Sequence, residues 1–112
     1  VRGNSFTEFQ REKLRKAGMM KLDLDDVKAY FAKLTGHTDA VNSLCFLPTH
    51  NTLASASHDN TIRLWDLHTH ACTHTLTGHT GWVNSLCFLP THNTLASASH
   101  DNTIRLWDLH TH

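Results

Sequence analysis

Cysteine, charge and long apolar runs are all scarce in this sequence. No stretch approaches the ~20 consecutive apolar residues that a membrane-spanning helix requires. Nor does a basic start followed by an apolar run mark a secretory signal. The expectation is a cytoplasmic protein with no membrane partner, the nucleus being left open. Three cysteines, Cys45, Cys72 and Cys87, are an odd number and do not make a disulfide frame. Cys45 and Cys87 each sit between a leucine and a phenylalanine, which reads as reduced thiols buried in apolar runs, compatible with a reducing compartment. Charged residues are 18% of the 112 and cancel to a net of zero. The balance is uneven along the chain. Residues 1–33 hold eight Lys/Arg and five Asp/Glu, a net of +3, while residues 34–112 hold two arginines and five aspartates, a net of −3. A net of +3 is a weak field and reads as a solvated helix face. The acidic repeats lack interleaved basic and aromatic residues, so no nucleic-acid partner is expected.

What the sequence has in abundance is repetition. Residues 34–70 and 76–112 are identical except that Asp39-Ala40 becomes Gly81-Trp82, with a period of 42 residues. That period lies within the ~40–45 residues of a four-stranded propeller blade. Such near-identity implies recent duplication or deliberate design. Inside each unit, β-prone runs alternate with turn chemistry. Residues 41–47 form a first strand stopped by Pro48, and 49–51 turn the chain, with Asn51 suited to a left-handed backbone. Residues 52–57, rich in small side chains, make a second strand, and 58–60 turn again. In 61–67, Ile62, Leu64 and Asp66 alternate with Arg63, Trp65 and Leu67. Residues 71–76 supply a fourth, outer strand. Short strands at this spacing without a helical period argue an antiparallel all-β unit.

Several of these residues carry a family resemblance. Gly36-His37, Leu53-Ala54-Ser55, Asp59 and Trp65-Asp66 resemble the signature of the WD-repeat (Trp-Asp repeat) β-propeller family, and Gly78-His79 through Trp107-Asp108 repeat it in order. The resemblance covers residues 34–112. It implies a mainly β fold of two antiparallel, four-stranded-type propeller blades, at 34–75 and 76–112, the second lacking its outer strand. It also implies that His37, Ser55, Asp59 and Trp65 form a buried hydrogen-bonded network, repeated by His79, Ser97, Asp101 and Trp107. The chemistry suits that role, because a buried imidazole, hydroxyl, carboxylate and indole N–H satisfy one another where each alone would be costly.

Other chemistry has to be weighed against the structural role. Ser, His and Asp together suggest a hydrolase, but each type recurs once per repeat and no strained Gly-x-Ser-x-Gly turn is present. The expectation is no enzyme and no catalytic residue. His68, His70, Cys72 and His74 alternate as metal ligands on one side of a strand would, yet their spacing matches no closed four-ligand motif. No metal or cofactor is expected. The Asp39-Ala40 and Gly81-Trp82 loop is where the resemblance implies partner docking. An exposed Trp82 beside Gly81 would be an aromatic anchor for a protein or peptide, or would pack over a neighbouring blade. The candidate partner-binding set is Asp39, Ala40, His58, Gly81, Trp82 and His100.

Residues 1–33 form a short N-terminal segment open to two readings. Ser5-Phe6-Thr7-Glu8 is a capping-box start, and Asp23 could cap a second helix with Leu24, Val27, Phe31 and Leu34 as its apolar stripe. Alternatively, residues 27–34 are the outer strand of a decayed preceding blade, and Lys33-Leu34-Thr35 is strand on either reading. Blades want cover on both faces, and arrays of fewer than ~3 repeats are rarely stable alone. The sequence ends at His112, just after a third strand. The expectation is therefore a non-catalytic protein- or peptide-binding scaffold that is part of a longer chain or a homo-oligomer. The alternative is a propeller piece whose only task is assembly.

Overall fold

Each 42-residue repeat folds into one antiparallel sheet whose strands run from neighbour to neighbour. The computed structural model describes residues 31–110. The first sheet has the order β1-β2-β3-β4, built from Val41–Leu47, Thr52–Ser57, Ile62–Asp66 and Cys72–Leu76. The second has the order β5-β6-β7, from Val83–Leu89, Thr94–Ser99 and Ile104–Asp108. The helices expected within residues 1–30 lie outside the described residues. At 31–40 neither helix nor strand forms. Lys33-Leu34-Thr35 is thus not a strand, because a strand needs a ladder partner and no described strand pairs with it.

Turn residues set the strand ends. Pro48 opens a single 3-10 turn, Pro48–His50, and Asn51 ends it at φ 47°, ψ 49°. Pro90–His92 and Asn93 repeat this geometry. Proline presets the turn, and asparagine tolerates the left-handed region. Asn60 (φ 74°) and Asn102 (φ 72°) perform the same reversal between the second and third strands of each sheet.

Strand alternation then divides each sheet into two faces. Ala54 and Ala56 of β2, with Ile62 and Leu64 of β3, are buried against the second sheet, in one cluster with Leu47, Leu76, Val83, Leu95 and Leu109. Leu86 and Phe88 of β5 pack onto that cluster. Two polar contacts fix the register between the sheets. The Asn42 side-chain amide donates to the Val83 carbonyl at 3.1 Å, and Thr49 Oγ1 donates to Asn93 Oδ1 at 3.2 Å. The cysteines depart from expectation. All three are free thiols, but Cys45 is half-buried and Cys87 exposed, because the second sheet covers the first residue and no described element covers its match. Burial pushes the Cys45 thiol pKa up, which makes it a poor nucleophile.

Candidate functional site

The site begins with Gly36. Its backbone holds φ at +157°, and a Cβ there would stand 2.8 Å from Arg63 Nη1. Glycine lets the chain pass close over β3 and turn His37 inward. His37 Nδ1 then lies 2.8 Å from Asp59 Oδ2, and its Nε2 lies 2.7 Å from Ser55 Oγ. Trp65 Nε1–H donates to the same Ser55 oxygen at 2.8 Å. An ionised carboxylate only accepts, so the imidazole donates from Nδ1 and accepts the Ser55 hydroxyl proton at Nε2. One proton order satisfies all four groups: Trp65 to Ser55, Ser55 to His37, His37 to Asp59. The second sheet repeats the chain, with His79 to Asp101 at 2.8 Å, His79 to Ser97 at 2.7 Å and Trp107 to Ser97 at 2.8 Å.

Two further pairs take part that sequence reasoning did not single out. The Thr61 hydroxyl donates to Asp59 Oδ1 at 2.5 Å and its N–H donates to the same oxygen at 2.9 Å. Ser57, fully buried, accepts the Asp59 N–H at 3.0 Å and donates to the Asp39 carbonyl at 3.3 Å. Thr103 and Ser99 do the same around Asp101 and Gly81. The available signal was spacing: Ser and Thr two residues either side of an aspartate form local side-chain turns. Burial raises the Asp59 carboxyl pKa, but the bonds from Thr61, His37 and the Thr38 N–H outweigh it and hold the group well below the usual carboxylate range. Asp101 is lowered likewise, first by the Thr103 hydroxyl.

The serine, imidazole and carboxylate are spaced like a hydrolytic triad, yet their surroundings oppose that chemistry. Ser55 and Ser97 are buried, in the middle of β2 and β6. Each Oγ is already engaged by both an imidazole and an indole N–H, whereas a nucleophilic serine keeps its oxygen open to substrate. The histidine-rich stretch is not one extended ladder of ligands. His70 sits at φ 65° in a turn, which breaks the alternation before β4, and the Arg63 guanidinium donates to Cys72 Sγ at 3.5 Å. Among the described residues no group of three or more His, Cys, Asp or Glu is gathered for a metal. A cleft between the sheets, lined by residues including Leu47, His50, Leu64, His74 and Leu109, holds about 180 Å³, below the ~300–1,000 Å³ usual for small-molecule sites.

The candidate partner-binding residues fall on the loops beside these chains. The His58 N–H donates to the Ala40 carbonyl, and the His100 N–H to the Trp82 carbonyl, both at 2.9 Å. The Trp82 ring stacks on His58 of the first sheet, with centroids 3.8 Å apart and planes 8° from parallel. Its other neighbour is His100, tilted by 37° at 4.9 Å. Trp82 is still 45% exposed. Asp39 and Ala40, at the matched place in the first sheet, are exposed, and Asp39 Oδ1 accepts the Ala40 N–H at 2.7 Å.

Two packed antiparallel sheets in a 42-residue repeat, each tied by a His–Ser–Asp–Trp chain, define blades of a β-propeller. The family model for the WD domain, G-beta repeat, matches residues 29–66 and 70–108, and the chain belongs to that family. Among curated relatives, THO complex subunit 3 of Arabidopsis thaliana is 49% identical over 47 residues, 41% of this chain and 15% of that protein. The ribosome biogenesis protein ytm1 of Pyrenophora tritici-repentis is 49% identical over 45 residues, 39% of this chain and 10% of that protein. A probable E3 ubiquitin ligase complex SCF subunit, sconB, of Aspergillus oryzae is 55% identical over 42 residues, 38% of this chain and 6% of that protein. The chain therefore matches less than a sixth of the length of these relatives.

Proposed function

We propose that this chain is a non-catalytic scaffold that holds a protein or peptide partner on the loop end bearing Asp39, Ala40, His58, Gly81, Trp82 and His100. It acts as part of a propeller that needs blades beyond the two described. The observation that carries this reading is the Trp82 indole, nearly half exposed yet held in place by His58 and His100. An aromatic ring already ordered loses little freedom on binding and makes an efficient anchor. The names of two relatives, a THO complex subunit and an SCF complex subunit, support work inside protein assemblies. In this reading the two His–Ser–Asp–Trp chains are structural, no cofactor is required, and the site of action is the cytoplasm or the nucleus.

A second reading, assembly with no ligand, is favoured by the same ring: one indole face is already occupied by His58 of the other sheet. Panning a random peptide library on the purified chain separates the two. Enriched peptides whose affinity falls at least tenfold on Trp82→Ala, the loss expected of a hot-spot anchor at ~1.4 kcal/mol or more, support the scaffold. Peptides indifferent to Trp82→Ala, or no enrichment at all, overturn it.

A further inference from the structure

Between residues 34–70 and 76–112 the two repeats differ only at Asp39-Ala40 and Gly81-Trp82, and the joint between the sheets links these two places. Asp39 lies on the loop before β1, where its Oδ1 accepts the Ala40 N–H at 2.7 Å. The Ala40 carbonyl accepts the His58 N–H, and the His58 ring carries the Trp82 indole stacked at 3.8 Å. A carboxylate from one repeat and an indole from the other are thus joined through one short turn. Gly81 helps to set the indole. Its loop lies so close to the next turn that a Cβ on residue 81 would stand 2.9 Å from the Asp101 backbone nitrogen. His100 meets the ring at 4.9 Å with the planes tilted by 37°, which leaves part of the indole open to solvent.

The side-chain charge on these loops and turns has one sign. Residues 36–40, 58–61, 78–82 and 100–103 hold Asp39, Asp59 and Asp101 and no lysine or arginine. The two arginines of the repeats, Arg63 and Arg105, pair with Ser55 and Ser97 in the middle of the sheets. Asp59 and Asp101 spend their oxygens on their own threonine, histidine and backbone donors, so they lend field and no contact. Asp39 differs. It is exposed, and among the described residues only the Ala40 N–H bonds its carboxylate.

We propose that the partner held on this end is a basic peptide, whose arginine or lysine lays its stem on the open part of the Trp82 indole and its cation against Asp39. This rests on the scaffold reading above and adds the chemistry of the partner and the residue that selects it. The stem of such a side chain is apolar and covers the ring, while the charged head stays wet at the rim. The indole itself attracts a cation brought within about 6 Å of it. An exposed ion pair adds little affinity, so Asp39 selects the sign of the partner while Trp82 anchors it. Acidic peptides are turned away by the same three carboxylates. Neither repeat carries both groups, because Gly81 stands in the place of Asp39 and Ala40 in the place of Trp82.

A random peptide library panned on the whole chain tests the proposal. Peptides that depend on Trp82 should be richer in arginine and lysine than in aspartate and glutamate. Fluorescence polarisation with one such synthetic peptide then measures the contact. Asp39→Asn keeps an oxygen for the Ala40 N–H, and circular dichroism verifies that the variant stays β-rich. It should weaken the peptide roughly two- to fivefold, and raising salt from ~0.01 M to ~0.1 M should weaken the parent more than the variant. The same peptide with its arginine or lysine replaced by glutamine should bind both chains equally. Trp82-dependent peptides that are acidic or uncharged overturn the basic partner and leave the scaffold reading standing. So does an Asp39→Asn chain that binds like the parent, or a loss that persists with the glutamine peptide. No enrichment, or peptides indifferent to Trp82→Ala, overturns both.

Discussion

At Ser55 an imidazole and an indole N–H meet on one hydroxyl oxygen, and the consequences of removing it can be stated. Ser55→Ala leaves the Trp65 N–H and His37 Nε2 without their partner in a buried place. The expected loss is about 2 kcal/mol or more, read as a lower denaturant midpoint, and Ser97→Ala behaves alike in the second sheet. A substitution without measurable effect would mean that water replaces the hydroxyl. The aspartates give the chains a pH dependence. The folded-state pKa values of Asp59 and Asp101 are depressed, so their contribution is full above the unfolded value of ~4 and is lost as pH falls through the folded values. Acid titration of stability should therefore show a decline beginning near pH ~4, and Asp59→Asn should be less stable at neutral pH with a flatter acid limb. Ser57 and Thr61 were not singled out from sequence because serine and threonine are common throughout the repeat, and only their place two residues either side of Asp59 marks them.

At the scale of the element, turn chemistry does most to set the strand boundaries. Asn51 and Asn93 both hold φ 47°, a backbone that costs other L-residues roughly 1–2 kcal/mol and glycine little. Asn51→Ala should lower stability by about 1 kcal/mol, while Asn51→Gly stays near the parent; equal losses from both would show that the side-chain amide, and not the backbone, matters there. The four strands of the first repeat were legible from proline, asparagine and β-branched runs, because those residues act locally. The third strand ends at Asp66 and not Leu67, since the Asp66 carboxylate accepts the His68 and Thr69 N–H groups and closes the next turn.

At the scale of the whole molecule, the joint between the two sheets decides behaviour. Trp82 is its one substituted aromatic contact, bridging His58 and His100. Trp82→Ala should cost about 1 kcal/mol, a fall of ~4–8 °C in Tm for a domain of this size, while both sheets keep their β spectrum. An unchanged Tm would assign the ring to partner contact only. Matched residues differ with their neighbours: Ile62 pairs with Leu76 of β4 and is buried, while Ile104, with no described fourth strand beside it, is exposed.

By itself, then, the sequence determined the repeat, its strand and turn order and its membership of a blade-forming family, because periodicity and turn propensity act over a few residues. Tertiary structure alone decided that Trp82 lies on His58 across the joint and that the Asn42 amide reaches the Val83 carbonyl. Those outcomes depend on distances between residues some twenty to forty positions apart, and packing sets such distances where propensity has no reach.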